Sequence, residues 1–327
     1  MITIKEVAKY ADVSVATVSR VINNKGYVQA ETRQKVEEAI RLLNYRPNNV
    51  ARSLFKKQSK MIGYIVPDIT NPYFPQLVRA VEDVTVKAGF TTFLCNSDDD
   101  LQKEQMYLEK MLENHIDGVI IVSNNIEARH LENIHLPIVA LDRVFHEKIP
   151  SVTIDNYDGA RRAVMHLLEN GCKKIAHLKG PEIIENSNLR KKAYEDVMEE
   201  NKLPIIIGAG NYQFKDAEMT MKSLLELHPD IDGVFAGNDV MAVGVLKALN
   251  RMRIHVPEQI KLVGFDGIEW TETVSPEITT IAQPIYDMGK KAATMLMERI
   301  NGQAVGEDHI VLETELKVRE TTNNGKF

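Results

Sequence analysis

The sequence has few of the residues that mark secreted, membrane-spanning or metal-binding proteins. Its 327 residues include two cysteines, Cys95 and Cys172, and these have no metal-ligand spacing. Such thiols are typical of a reducing compartment, where they serve as small buried apolar residues. The longest apolar runs, such as residues 118–122, have five or six members, far fewer than a bilayer span requires. No signal peptide is visible after Met1, so we expect a cytoplasmic protein without a membrane segment.

Motifs of catalysis and nucleotide binding are also missing. The run 264–267 contains two glycines but has no accompanying GKS/T or GxGxxG signature. The nine histidines show no ligand spacing, and no Ser/His/Asp or Cys/His pairing has an interpretable context. We therefore predict that the chain is not an enzyme and has no catalytic residue, no metal site and no cofactor.

What the sequence does contain is a strong separation of charge. Its 44% apolar and 26% charged residues are ordinary for a globular protein, and its length suggests two or three domains. Residues 1–60 hold twelve Lys and Arg against five Asp and Glu, a net charge of +7. Because the whole chain carries −6, the remainder carries −13. A basic N-terminal unit on an acidic body is typical of a module that binds a polyanion.

Residues 1–23 are predicted to form two short helices joined by a tight turn. Thr3 and Glu6 make a capping box for the first helix. Ser14 is a good N-cap for the second. The connection at residues 11–13 suits a helix-turn-helix, whose second helix enters the major groove of DNA. An ordinary helical hairpin is the alternative.

The second predicted helix has two contrasting faces. One face is apolar and can pack inward; it comprises Val18, Val21 and Ile22. The other is small and hydroxylated and ends in a cation; it comprises Val15, Ala16, Ser19 and Arg20. This second face is the one that we expect to meet DNA.

A third helix over residues 31–44 completes the predicted headpiece, residues 1–46. Its apolar stripe comprises Val36, Ala39, Ile40 and Leu43. Residues 47–60 follow as a hinge helix and linker. The helical part is too short to be stable alone in water, so we expect it to order only on DNA. A plain linker is the alternative.

From residue 61 onwards, short Val- and Ile-rich segments alternate with amphipathic helices. We predict nine strands, at residues 62–66, 91–94, 118–122, 138–141, 152–154, 175–178, 205–207, 233–235 and 260–263. Such alternation is typical of an α/β protein with parallel sheets covered on both faces, here two doubly wound lobes. We expect an N-lobe of residues 61–157 and 285–318, and a C-lobe of residues 158–284 with the C-terminal tail, together the ligand-binding and dimerisation core 61–327.

The N-terminal segments resemble the lactose-repressor (LacI) family. The resemblance is carried by residues 3–8, 13–23 and 44–48 and, with later motifs, extends over nearly the whole chain. It implies that the hinge helix pairs with its mate from a second subunit and that Leu54 wedges between base pairs in the minor groove. The implied DNA-binding residues are Thr3, Ser14, Val15, Ala16, Thr17, Ser19, Arg20, Asn23, Tyr45, Asn48, Ala51 and Leu54.

Within this family the resemblance is greatest to ribose-operon repressors, and it implies the periplasmic sugar-binding fold for the body. Ligands of such sheets lie at the carboxyl ends of strands, where carboxylates, amides, an Arg fork and aromatic faces suit a sugar. The implied ligand-binding residues are Asn71, Tyr73, Phe74, Asp142, Arg143, Arg190, Asn238, Asp266 and Gln283, with Phe214 as an aromatic cover. Asp239 is expected to cap the helix that follows it.

The resemblance implies a transcriptional repressor that binds a near-palindromic operator as a homodimer. Its effector would be a small sugar, ribose, in the cleft between the lobes. A different sugar, a sugar phosphate or a purine is the alternative, and induction and co-repression both stay open. No leucine-heptad tail is visible, which favours a dimer over a tetramer. A phosphorylated phosphocarrier protein, bound by some relatives, stays open as a partner.

Two other classes of protein fit the sequence poorly. A free sugar-binding or transport protein would lack the basic unit 1–60 and would carry a signal peptide. An enzyme on a doubly wound fold would need a nucleophile or a cofactor loop in the cleft, and the sequence offers neither.

Overall fold

The structure is a computed structural model that describes residues 2–45, 58–131, 134–144, 148–303 and 306–323. It divides into two compact units, Met1–Ser59 and Lys60–Phe327. Most of the predicted hinge lies outside the described residues, and so do the predicted DNA contacts Asn48, Ala51 and Leu54.

The first unit contains three helices within its described residues: α1 (Ile4–Tyr10), α2 (Val15–Asn23) and α3 (Ala30–Leu42). Thr3 and Glu6 form the predicted capping box of α1. The Ser14 hydroxyl caps α2 by accepting from the Thr17 amide at 3.1 Å. These caps satisfy amides that a helix terminus leaves without an intrahelical partner.

A small apolar core joins the three helices. Its buried members are Val7, Ala8, Ala11, Val18, Val21, Val36 and Ala39. The predicted inward face of α2 is therefore observed, with Ile22 half-buried at its margin. Because α2 packs through this face, its opposite face stays open to solvent.

The second unit contains twelve strands in its described residues. In chain order they are β1 (Met61–Val66), β2 (Thr91–Asn96), β3 (Gly118–Ile121), β4 (Ile138–Leu141), β5 (Ser151–Ile154), β6 (Ile175–Lys179), β7 (Ile206–Ala209), β8 (Gly233–Ala236), β9 (Lys261–Asp266), β10 (Thr279–Ala282), β11 (His309–Leu312) and β12 (Glu315–Lys317). Each of the nine predicted strands overlaps one of these. The last three strands were not predicted.

The described helices of this unit alternate with the strands, as the sequence pattern indicated. In chain order they are α4 (Tyr73–Lys87), α5 (Leu101–Glu113), α6 (Ala128–Leu131), α7 (Asn156–Glu169), α8 (Glu185–Glu200), α9 (Phe214–Leu227), α10 (Asp239–Arg251), α11 (Trp270–Thr273) and α12 (Ile285–Ile300). None of the helices in the described ranges is long and apolar enough to cross a membrane.

The strands form two six-stranded sheets, in the orders β11-β5-β4-β3-β1-β2 and β12-β10-β9-β8-β6-β7. All pairings are parallel except that of β10 with β12, which is antiparallel. The first sheet packs against α12, and the second against α7. We call these two halves the first and second lobes. This is the expected architecture of two doubly wound lobes.

The chain passes between the lobes at three places, which we call the crossovers: before α7, before α12, and between β11 and β12. The strand β12 belongs to the second sheet, because Thr280 pairs with Lys317. The predicted extension of the first lobe to residue 318 is therefore wrong in its last residues. Sequence order alone does not reveal that the tail changes sheets between Leu312 and Glu315.

Candidate functional site

A cavity of about 120 Å³ lies at the carboxyl ends of the strands, between the two lobes of the second unit. Eight of the predicted ligand residues line it: Asn71, Tyr73, Phe74, Asp142, Arg190, Asn238, Asp266 and Gln283. The remaining lining residues were not predicted: Pro67, Asp68, Asp99, Val122, Asn124, Pro181, Ile184, Asn186, Asn211, Tyr212 and Gln213.

Arg190 is the buried cation of this cavity. The Nε–H donates to Asn156 Oδ1 at 2.9 Å, and Nη1 donates to the Gly237 carbonyl at 2.6 Å. Nη1 also lies 3.4 Å from Asp266 Oδ1. A guanidinium carries five N–H groups, and the two on Nη2 have no protein acceptor among the described residues. Arg190 therefore retains a pair of donors for a ligand.

Tyr73 and Gln283 connect two of the carboxylates that line the cavity, those of Asp142 and Asp266. The Tyr73 hydroxyl lies 3.2 Å from Asp142 Oδ1 and 3.2 Å from Gln283 Oε1. Because a hydroxyl has one proton, it donates to one of these oxygens at a time. Gln283 Nε2 donates to Asp266 Oδ1 at 2.8 Å. A series of hydrogen bonds therefore runs from Asp142 to Asp266 across the cavity, through the Tyr73 phenol and the Gln283 amide.

Asp142 and Asp266 both have left-handed backbones, with φ of 68° and 122°. Non-glycine residues rarely adopt such angles, which cluster at ligand-binding sites. Burial raises the pKa of Asp142 to about 6, and Arg190 opposes part of this rise. Burial likewise raises the pKa of Asp266, although its carboxylate pairs with Arg190. Hydrogen-bond donors stabilise the ionised form of both carboxyl groups, and the hydroxyls of a ligand can supply such donors.

Asn238, and not Asp239, caps the helix that follows, and it also lines the cavity. The N-cap of α10 is Asn238, whose Oδ1 accepts from the Met241 amide at 2.9 Å. Asp239 instead accepts from the Gly267 and Ile268 amides at 2.6 and 2.9 Å. The prediction that Asp239 caps the helix is therefore wrong. Its carboxylate holds the loop that follows Asp266, which is a structural role of another kind.

On the first unit, the outward face of α2 presents the predicted DNA-contacting residues. Val15, Ala16 and Arg20 are exposed. The Asn23 amide donates to the Ser19 carbonyl at 2.8 Å and to its hydroxyl at 3.2 Å, so these two polar groups are paired in the absence of DNA. The Ser14 and Thr17 hydroxyls lie 2.9 Å apart. Thr3 is exposed, and Tyr45 is half-buried against the core.

Comparison with known proteins covers the whole chain. Residues 3–48 match the bacterial regulatory proteins of the lacI family, and residues 164–322 match a periplasmic binding protein-like domain. A ribose operon repressor from Halalkalibacterium halodurans is 44% identical over 326 residues, which are 100% of this chain and 98% of that protein. This chain belongs to the LacI family. It is a sugar-responsive transcriptional repressor, as the sequence predicted, and not an enzyme.

Solved structures of LacI-family proteins share this architecture. The lac repressor dimer bound to operator and the anti-inducer ONPF superimposes with a TM-score of 0.88 at 28% identity, covering 98% of this chain and 99% of that one. A LacI-family regulator from Enterococcus faecium with bound ribose gives a TM-score of 0.74 at 29% identity, covering 81% and 100%. The predicted fold class is therefore confirmed.

Two of the ligand residues predicted for this LacI-family chain, Arg143 and Phe214, are not among the residues that line the cavity. Arg143 Nη1 donates to the Ser123 carbonyl at 3.3 Å. Phe214 begins α9, and its ring centroid lies 4.7 Å from Lys247 Nζ. The aromatic side chain that reaches the cavity from this segment is Tyr212, whose backbone φ is 58°.

Asn186 is a cavity residue of this repressor that sequence reasoning missed. It lies in the first turn of α8, in the second lobe, and its Nδ2 donates to the Asp142 carbonyl of the first lobe at 2.9 Å. This bond joins the lobes directly beside the cavity. An asparagine at the start of a helix gives no sequence signal of a contact 44 residues away.

Proposed function

We propose that the protein is a homodimeric repressor of a ribose operon, with ribose as an inducer bound in the inter-lobe cavity. The observation that carries the proposal is the polar constellation of Arg190, Asp266, Gln283, Tyr73 and Asp142. It combines carboxylate acceptors with guanidinium and amide donors, which is what the vicinal hydroxyls of a sugar require. The similar ribose operon repressor and the ribose-bound structure support the choice of ribose.

The charge of the lining favours an uncharged sugar over a sugar phosphate. Four carboxylates, those of Asp68, Asp99, Asp142 and Asp266, face one guanidinium, that of Arg190. Most donors of that guanidinium are engaged with protein oxygens. A phosphate dianion would lose its hydration and gain little compensation. Phe74 and Tyr212 offer apolar faces for the C–H surface of a pentose.

Operator recognition is assigned to the exposed face of α2. In this proposal Val15 and Ala16 contact base edges, a thymine methyl being the natural apolar target, and Arg20 contacts guanine. Thr17, Ser19 and Asn23 position the phosphate backbone. One headpiece contacts too few bases for specificity, so two subunits bind a near-palindromic site. Nothing in the described residues favours a phosphocarrier protein as a further partner.

Sugar binding would act on DNA affinity by moving the lobes. Closure of the cavity rotates one lobe against the other. We infer that this rotation is passed to the headpieces through residues 47–60 and weakens their binding to the operator. Coupling of this kind is typically worth about 1–3 kcal/mol, or about 5- to 150-fold in operator affinity.

The proposal is tested by calorimetric titration of the purified full chain with ribose, ribose 5-phosphate, glucose and adenine. Fluorescence anisotropy on an operator duplex then measures release by each compound. We expect ribose to bind and to lower operator affinity, and ribose 5-phosphate and adenine to do neither. Binding of the phosphate ester alone, or tighter operator binding with ribose, would contradict the assignment.

A further inference from the structure

A buried asparagine behind the cavity supports its arginine. Asn156 is the first residue of α7 and is 3% exposed. Its Oδ1 accepts from Arg190 Nε at 2.9 Å, but Asn156 does not itself line the cavity. Asn156 thus contacts a ligand-facing residue from the side away from the ligand.

The same turn of α7 also supports the other side of the guanidinium. Arg190 Cζ lies 3.7 Å from the centroid of the Phe265 ring, which fixes the plane of the group. Phe265 in turn packs closely on Gly159, where an added Cβ would lie 3.0 Å from two ring carbons. The first turn of α7 therefore holds Arg190 from its edge, through Asn156, and from its face, through Phe265.

These contacts determine which donors of Arg190 remain for a ligand. Asn156 occupies the Nε–H, and the Gly237 carbonyl occupies Nη1. The Phe265 ring fixes the plane of the guanidinium, and the bonds at Nε and Nη1 fix its rotation within that plane. The direction of the Nη2 donors is therefore fixed as well. Without the Asn156 oxygen, the guanidinium could turn about its terminal bonds and lose this alignment.

We propose that Asn156 is a positioning residue for sugar binding: it holds the Arg190 fork so that Nη2 faces the cavity. This inference rests on the proposed function, because it is measured through sugar binding. Asn156 is not needed to cap α7, because the preceding residue, Asp155, does so. The side chain of Asp155 is the N-cap of α7 and accepts from the Asp158 amide at 2.8 Å.

The test compares Asn156→Ala, which removes the acceptor, with Asn156→Asp, which keeps an oxygen on a side chain of the same length. Asn170→Ala is the matched control, since Asn170 lies at the other end of α7 and donates to the His166 carbonyl. Calorimetry measures the Kd for ribose, anisotropy the Kd for operator without sugar, and thermal unfolding the integrity of each variant.

We expect Asn156→Ala to weaken ribose binding about tenfold or more, the usual scale for a hydrogen bond to a charged group. Asn156→Asp should bind ribose within about threefold of the parent, because it keeps an acceptor oxygen for the Arg190 cation and adds an opposite charge to that hydrogen bond. Operator affinity without sugar should be unchanged in all variants, and Asn170→Ala should behave as the parent.

Parent-like ribose binding by Asn156→Ala would overturn the inference, and so would equal weakening by Asn156→Ala and Asn156→Asp. If Asn156→Ala unfolds, Asn156→Gln takes its place, because it keeps the amide but displaces its oxygen by one methylene; the same weakening is expected. A parent chain that ignores ribose contradicts the proposed function instead. The variants are then compared with the compound of the panel that does bind.

Discussion

The guanidinium of Arg190 lies over the ring of Phe265, with its central carbon 3.7 Å from the ring centroid. Both side chains are buried, and Phe265 lies on β9 immediately before Asp266. A buried cation over an aromatic face is stabilised by the ring's quadrupole. The position of this ring therefore sets the position of the cavity's cation.

Gly159→Ala should displace that ring. The added Cβ would lie 3.0 Å from Phe265 Cε2 and Cζ and 3.2 Å from Ile281 Cγ2, closer than ordinary contacts. We expect a loss of about 1–3 kcal/mol in unfolding free energy and weaker ribose binding, measured by urea unfolding and calorimetry. Gly306→Ala, which meets open space, is the control. If Gly159→Ala is destabilised but binds ribose as the parent does, the position of the Phe265 ring does not affect ribose binding, and the prediction is wrong.

Asp266→Asn should remove the sugar response while leaving the repressor on DNA. The substitution removes the negative charge that pairs with Arg190 at 3.4 Å, and it replaces one carboxylate oxygen with an NH2 group, which donates instead of accepting. We expect ribose binding to weaken by about tenfold or more, with operator affinity in the absence of ribose as in the parent. Asp287→Asn, on the exposed first turn of α12, serves as the control. A normal ribose titration would remove Asp266 from the site.

The titration of Asp142 should make the unfolding free energy depend on pH. Its pKa is raised to about 6 in the folded chain by burial, so the folded state holds its proton over a range in which the unfolded chain has lost it. Unfolding free energy therefore falls as pH rises from about 4 to about 6, by about 1–3 kcal/mol for this group. Asp142→Asn should remove that fall. Parallel pH profiles of the two proteins would contradict this.

Arg20→Ala should lose discrimination at one operator position. An exposed arginine on the outward face of α2 suits bidentate contact with guanine. Competition binding with operators mutated one base pair at a time should show a loss of about 1–3 kcal/mol confined to one guanine. Lys35→Ala is the control, since Lys35 pairs with Glu31 on α3 at 2.9 Å. Equal losses on every sequence would assign Arg20 to phosphate.

Sequence patterns predicted nine of the twelve described strands and missed β10, β11 and β12, of which β10 is polar and buried. Most of the nine predicted strands are buried Val- and Ile-rich runs, which periodicity detects, whereas β2 is partly exposed and has neither residue. β10 contains Thr279 and Thr280, both fully buried. The Thr279 hydroxyl lies 2.8 Å from that of Thr322, and Thr280 donates to Asp239 at 2.7 Å. These hydrogen-bond partners, Thr322 and Asp239, allow the polar strand to be buried. Both are distant in sequence, so a local sequence pattern does not reveal them.

The cavity residues likewise include some that the sequence predicted and some that it did not. Residues at the ends of strands, such as Asp142 directly after β4 and Asp266 at the end of β9, could be located because the strands themselves were predicted. Tyr212 and Phe214 are both aromatic and two residues apart, so the choice between them depends on where α9 begins. The chain turns left-handed at Tyr212, and Phe214 starts the helix facing Lys247. The supporting side chain Asn156 is set by tertiary packing, which the sequence pattern does not encode.

The three crossovers also have a consequence for biosynthesis. β11 completes the edge of the first sheet and β12 the edge of the second, and both follow residue 308. A ribosome therefore makes every proposed sugar contact before it delivers the closing strand of either sheet. The nascent chain carries two unfinished sheet edges until residues 309–317 have been made, and such edges invite aggregation. Residues 309–317 alone add the edge strand of each lobe, so the two lobes are completed together.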